Sequence, residues 1–264
     1  MKQIGIALSG GGARGAAHLG VLKALDELDI KVSAVSGVSA GALIGALYAK
    51  GISPDDILKE LKELSYFGFK DLLWMKSGLF TMAGLRNKLH DLIGSDDFAA
   101  LKIPLFINAT DILTGNGVVF SEGPLYDAIL GSAAVPVVFE PVEYKGYRLL
   151  DGGILNNLPV EPLLGRCNFI IGSHVNKLHD GAISAKLDKA ALIDQCFHLV
   201  IANSVKERAL ACHIFIEPLL AGFGIFDMKN ADKIFELGYV AAMEQKEKLI
   251  GLNVNKLIDE PLNK

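Results

Sequence analysis

Ser39 stands in Gly37-Val38-Ser39-Ala40-Gly41, between an apolar run of strand character at 32–36 and a segment of helical character at 40–50. A Gly-x-Ser-x-Gly sequence in that context makes a sharp strand-to-helix turn that lifts a serine Oγ clear of a sheet. Glycines at 37 and 41 leave room for the strained backbone. Alone, the pentapeptide also fits an ordinary turn of small residues. A second loop, Ser9-Gly10-Gly11-Gly12-Ala13-Arg14-Gly15, lies in the same position relative to its elements, after a strand at 4–8 and before a helix starting near Ala16. Its glycines let a reacting oxygen approach backbone N–H groups, and the helix start adds unsatisfied donors and positive potential. Such a loop suits an anion, either a phosphate or a transient oxyanion. The third signal is Asp151-Gly152-Gly153, where paired glycines let the chain turn at a carboxylate that could address another loop of the sheet edge. A lone Asp-Gly-Gly is usually only a turn, and its weight comes from its company.

Gly10-x-Gly12-x-x-Gly15 also fits the dinucleotide fingerprint. Two features oppose that use: the second strand ends in Ala34-Val35-Ser36 with no acid for a ribose, and the loop lacks the Gly-Lys-Ser/Thr ending of a triphosphate site.

Positioning these groups requires a sheet. Strand-like runs at 4–8, 32–36, 104–110, 169–174 and 213–217 alternate with helical segments at 16–28, 40–50, 54–64, 187–210 and 230–249. That alternation predicts an α/β fold with a largely parallel sheet covered by helices, and the length suits one domain over 1–264. Ser53-Pro54 reads as an N-cap followed by proline at the first helical position. Val142-Glu143-Tyr144 and Tyr147-Arg148-Leu149 flank Lys145-Gly146 as a hairpin that delivers Asp151. Since the serine turn follows only the second strand, the α/β-hydrolase topology is disfavoured. The glycine loop and the serine turn instead sit at the carboxyl ends of early strands, where one crevice faces both.

Composition narrows the partners. Lys and Arg total 26 against 30 Asp and Glu, a net charge of −4, with no basic cluster of the kind nucleic acid requires. Cys167, Cys196 and Cys212 form neither a C-x-x-C motif nor an even-numbered framework, which points to a reducing compartment. The N-terminal residues lack a secretory apolar core, and no run approaches a membrane span, so the expectation is a cytoplasmic protein with peripheral membrane contact at most. No ligand set for a metal and no cofactor fingerprint emerges, and oligomeric state is not readable.

In order along the chain, Gly10-Gly11-Gly12-Ala13-Arg14-Gly15, Gly37-Val38-Ser39-Ala40-Gly41, Ser132-Ala133-Ala134-Val135-Pro136 with Phe139 and Pro141-Val142, and Asp151-Gly152-Gly153 with Asn157 and Pro159 resemble the patatin-like phospholipase family, bacterial branch. The resemblance extends to Ile214-Phe215-Ile216-Glu217-Pro218 and Gly238-Tyr239. It implies a three-layer α/β/α fold and calcium-independent hydrolysis of lipid acyl esters by a Ser-Asp dyad. Ser39 is then the nucleophile and Asp151 the base. The Gly10, Gly11 and Gly12 amides form the oxyanion hole, with Arg14 beside them and Gly37, Gly41, Gly152 and Gly153 in support.

Arg14 has two readings, pairing with a nearby carboxylate that holds the loop in shape or contact with a phosphate head group. The aromatic segment 66–82, with Trp74, reads as core packing ahead of a lid. His174, His179, His198 and His213 all follow Asp151, so a Ser-Asp-His order is formally available. Acyl transfer or thioester hydrolysis with the same groups, and a lipid-binding regulatory protein of low turnover, remain alternatives.

Overall fold

The structure is a computed structural model that describes residues 3–71, 82–136, 138–177, 189–225 and 227–253, without the side chains of 64–71, 189–198 and 253. Among the described residues eight strands form one sheet: β1 Ile4–Leu8, β2 Val32–Val38, β3 Leu105–Asp111, β4 Asn116–Phe120, β5 Val142–Tyr144, β6 Tyr147–Asp151, β7 Phe169–Ser173 and β8 Ile214–Ile216. The helices are α1 Ala16–Glu27, α2 Ala40–Lys50, α3 Pro54–Asp71, α4 Met82–Ile93, α5 Leu125–Ser132, α6 Lys189–Leu210, α7 Ala231–Met243 and α8 Lys246–Asn253.

β3, β2, β1, β7 and β8 lie side by side and parallel. β4 and β6 add to β3 antiparallel, and β5 extends the ribbon from β6. Strand β1 shows why the sheet is covered on both faces. Its residues alternate, with Ile4, Ile6 and Leu8 in the main core beside Leu19, Leu22 and Leu25 of α1 and Ile44 and Leu47 of α2. Ala7 instead joins Leu158, Val160, Leu163 and Val205 of α6 in a smaller cluster. Period-two alternation into two separate cores gives the helix, sheet, helix layering.

The expected helix at 230–249 is two, broken at Glu244–Gln245, and α4, α5 and β4 add to the expected elements. Much of the aromatic segment 66–82 lies outside the described residues; within it α3 continues to Asp71 and α4 begins at Met82. Among the described residues no helix is long and apolar enough to cross a membrane.

Candidate active site

β1 and β2 are in register with Leu8 opposite Gly37, so the loop after β1 and the turn after β2 emerge together. Ser39 sits at the turn with φ 54° and ψ −123°, a conformation that costs a non-glycine residue on the order of 1–3 kcal/mol. Neither flanking glycine can be replaced cheaply: a Cβ on Gly37 would run into the Gly41 carbonyl, and one on Gly41 into the carbonyls of Leu8 and Ser9. The turn is braced from outside. Ser39 N–H donates to Ser132 Oγ at 2.9 Å, and Ser132 Oγ donates to the Asn108 carbonyl at 2.6 Å.

Asp151 reaches Ser39 through the pairing of β3. That strand pairs β2 through Leu105–Asn108, β4 through Ile107–Asp111 and β6 through Ala109–Asp111. A strand has two edges, and β4 overlaps both of the others, so β2 and β6 must share the opposite edge. They run toward one another on it, Val38 opposite Asn108 and Asp151 opposite Ala109. The residue after Val38 therefore meets the end of β6. The Asp151 backbone is pinned by Asp151 N–H to the Ala134 carbonyl at 2.9 Å and by Thr110 Oγ1 to the Asp151 carbonyl at 3.1 Å. Burial raises its carboxyl pKa to about 6, against the opposing pull of hydrogen bonds from the Ser39 hydroxyl and the Gly153 N–H. That last bond measures 2.7 Å.

The glycine loop is held from several sides. Gly12 has φ 57°, and a Cβ there would strike the Ile225 carbonyl, which instead accepts Ala13 N–H at 2.7 Å. Asn176 Nδ2 donates to the Gly10 carbonyl at 2.6 Å. Arg14 Nε donates to the Phe223 carbonyl at 2.8 Å and Nη1 to Asn176 Oδ1 at 3.3 Å, tying the loop to two neighbouring segments through oxygens that are not carboxylates. Beneath the loop, fully buried His18 bonds the Ser9 carbonyl through Nε2 at 2.9 Å and Ser173 Oγ through Nδ1 at 2.8 Å. A carbonyl only accepts, so Nε2 carries the proton and Nδ1 accepts from Ser173. Burial lowers the His18 pKa to about 4, keeping it neutral.

The three glycine amides are not equivalent. Gly10 N–H donates to Asn157 Oδ1 at 3.2 Å, whereas the N–H groups of Gly11 and Gly12 meet no protein acceptor among the described residues. Gly152 packs against the Asn108 carbonyl, and Asn108 Nδ2 donates to the carbonyls of Gly152 and Asn156 at 3.2 Å each.

Two of the sequence's histidine candidates have other partners. His174 Nδ1 bonds Glu217 Oε1 at 2.9 Å, and His213 Nδ1 accepts Ile170 N–H at 3.1 Å. His179 and the side chain of His198 lie outside the described residues. Ser132, Asn157, Asn176, Asn108 and His18 were given no role from sequence. The first two stand inside the quoted blocks; the others carry no local signal, since their bonds join distant segments.

Residues 6–164 match the patatin-like phospholipase family. The chain belongs to that family. This patatin-like chain is 40% identical over 168 residues to a patatin-like phospholipase domain-containing protein of Caenorhabditis elegans, with 60% of the chain and 12% of the relative aligned. It is 36% identical over 165 residues to an uncharacterized NTE family protein of Mycobacterium tuberculosis, covering 62% and 46%, and 35% identical over 179 residues to neuropathy target esterase of Drosophila melanogaster, covering 64% and 13%. The chain thus spans less than half the length of these curated relatives. Among solved structures it resembles human GIVD cytosolic phospholipase A2 with a TM-score of 0.52, 12% identity and coverage of 95% and 59%. VipD from Legionella pneumophila gives 0.51, 18%, and 94% and 67%. At those identities the likeness is one of fold, a central sheet flanked by helices.

Proposed function

We propose that this chain is a serine-dependent acyl hydrolase acting on lipid esters, as a phospholipase, lysophospholipase or carboxylesterase, with Ser39 as nucleophile and Asp151 as its only base. Ser39 Oγ attacks the ester carbonyl while its proton passes to the Asp151 carboxylate. The carbonyl oxygen, now negative, is held by the Gly11 and Gly12 amides. Collapse expels the alcohol, which takes the proton back from Asp151, and leaves an acyl-Ser39. Water then attacks the acyl carbon, giving its proton to Asp151; the acid departs and the proton returns to Ser39.

The observation that carries this reading is the buried Asp151 carboxyl facing the Ser39 hydroxyl with its pKa raised to about 6. An ordinary carboxylate is too weak a base for a hydroxyl; burial brings Asp151 nearer the working pH. Family membership supports a lipid substrate. Free thiols at Cys167 and Cys212 support a cytoplasmic setting, with peripheral contact to the membrane that supplies substrate. The test is Ser39→Ala assayed with p-nitrophenyl esters, phospholipids and lysophospholipids, alongside labelling by a fluorophosphonate probe. Activity and labelling should both vanish; turnover at the parent rate ends the proposal. Including acyl-CoA and alcohol acceptors in the same panel separates hydrolysis from acyl transfer.

A further inference from the structure

Asn157 is 1% exposed, and its carboxamide lies where the three loops of the site converge. An ideal Cβ on Gly10 would sit 2.7 Å from Asn157 Oδ1 and 3.1 Å from Ser39 Cβ. One on Gly153 would sit 2.7 Å from that same Oδ1 and 3.0 Å from Asp151 Oδ1. Oδ1 accepts Gly10 N–H, a bond spanning 147 residues of sequence, while Nδ2 is a buried donor that meets no acceptor among the described residues. Folded proteins rarely leave such a donor idle away from a working site. The segment bearing it is firmly seated: Asn157 N–H donates to Ser204 Oγ of α6 at 3.3 Å, and the Asn156 carbonyl is held by Asn108 of β3.

We propose that Asn157 is a positioning residue that couples the glycine loop to the dyad: by engaging Gly10 N–H it fixes the loop's first amide and leaves those of Gly11 and Gly12 to meet the oxyanion beside Ser39. The inference rests on the Ser39–Asp151 reading and deepens it. The residue type follows from two demands on one side chain. It must present an oxygen to Gly10, and it must be neutral, because a second carboxylate beside Asp151 would hold that group protonated. Leucine fails the first demand and aspartate the second. Burial, the Ser39 hydroxyl and the Gly153 amide are the influences on Asp151, and no charged side chain is among them. A charge introduced at 157 is therefore felt without competition.

Asn157→Ala and Asn157→Asp should be compared with Ser39→Ala on p-nitrophenyl butyrate from pH 5 to 9.5. Loss of the brace in Asn157→Ala should lower kcat by roughly 30- to 100-fold with KM within about threefold, as expected for displaced catalytic groups. Asn157→Asp keeps the acceptor. It should recover to within about tenfold of the parent above pH 8, with its acid limb displaced upward by about one pH unit or more. A kcat for Asn157→Ala within about twofold of the parent overturns the proposal. So does equal depression of both variants at every pH, the mark of a structural loss. If the alanine variant does not fold, the aspartate profile decides alone, and an undisplaced limb overturns the idea. An active Ser39→Ala sinks the dyad reading itself, whereas an inactive Ser39→Ala beside a fully active Asn157→Ala sinks only the role of Asn157.

Discussion

Ser132 holds the strained backbone of Ser39: its hydroxyl accepts the Ser39 N–H at 2.9 Å across 93 residues of sequence while donating to Asn108 of the neighbouring strand. A residue at φ 54° persists only where its surroundings over-determine it. Ser132→Ala removes the brace and leaves two buried polar groups short of a partner. It should destabilise the protein by about 1–3 kcal/mol and reduce kcat about tenfold or more. Chemical denaturation with kinetics on the same preparation checks both, and an undiminished kcat would show that the turn keeps its shape unaided.

Asp151 must be ionised to take a proton, so kcat/KM should rise with pH through about 6 and level off above. Asp151→Asn keeps volume and shape but accepts no proton, and should lose as much activity as Ser39→Ala. The double variant should lose little more than either, because groups acting as one unit are not additive. A histidine variant at 174 or 213 as inactive as Ser39→Ala, with Asp151→Asn merely slowed, would replace the dyad by a triad.

Stability should carry two opposing pH dependences. Asp151 has a folded pKa of about 6, above the 3.8 of an ordinary aspartate, so the folded state binds the extra proton and loses stability as pH rises from about 4 to 6. His18 has a folded pKa near 4, below 6.5, so its contribution is complete above pH 6.5 and is lost as pH falls toward 4. Each amounts to on the order of 3 kcal/mol, and they nearly cancel. The parent melting temperature should be flat across this window. Asp151→Asn should melt higher than the parent at pH 7, and its melting temperature should climb with pH from 4 to 6.5. A flat profile for Asp151→Asn would contradict the assignment.

An added side chain in the glycine loop should act on the transition state. Gly11→Ala should lower kcat more than it raises KM, by up to the 2.7–4 kcal/mol typical of losing one oxyanion donor. Comparing it with Gly10→Ala is informative. A Cβ added at Gly10 would press on both Asn157 Oδ1 and Ser39 Cβ, so the loss there should at least equal that of Asn157→Ala. A kcat for a folded Gly11→Ala within about twofold of the parent would place the oxyanion hole elsewhere.

The legible parts of this protein were those with a local signature. β1, α2 and the hairpin β5–β6 follow from period and turn residues, and the three glycine-bearing motifs, each common alone, mark by their order the segments that the structure brings together around Ser39 and Asp151. β4 was missed because it pairs with β3 as an edge ribbon with most of its side chains in water, so it has no continuous apolar face to advertise it. The break between α7 and α8 has no breaker residue to mark it, since Glu244 and Gln245 are good helix formers; the chain tightens there, with Gln245 N–H bonding the Ala242 carbonyl three residues back. The unequal bonding of the Gly10, Gly11 and Gly12 amides is illegible in the sequence for a similar reason. They depend on Asn157, which three glycines in a row cannot announce.

The ribbon β5–β6 has one end anchored beside Ser39 and the other exposed at Lys145-Gly146, where both residues have positive φ, a Cβ on Gly146 would touch nothing and the Lys145 side chain bonds the Glu122 carbonyl. Length can drift at the exposed end without moving the carboxylate, since an added cross-strand pair only carries the turn further out. A single residue inserted between Leu149 and Asp151 has the opposite effect, turning the carboxylate to the far face of the sheet. Across related chains, insertions and deletions should therefore collect at 145–146 and be shut out of 149–151.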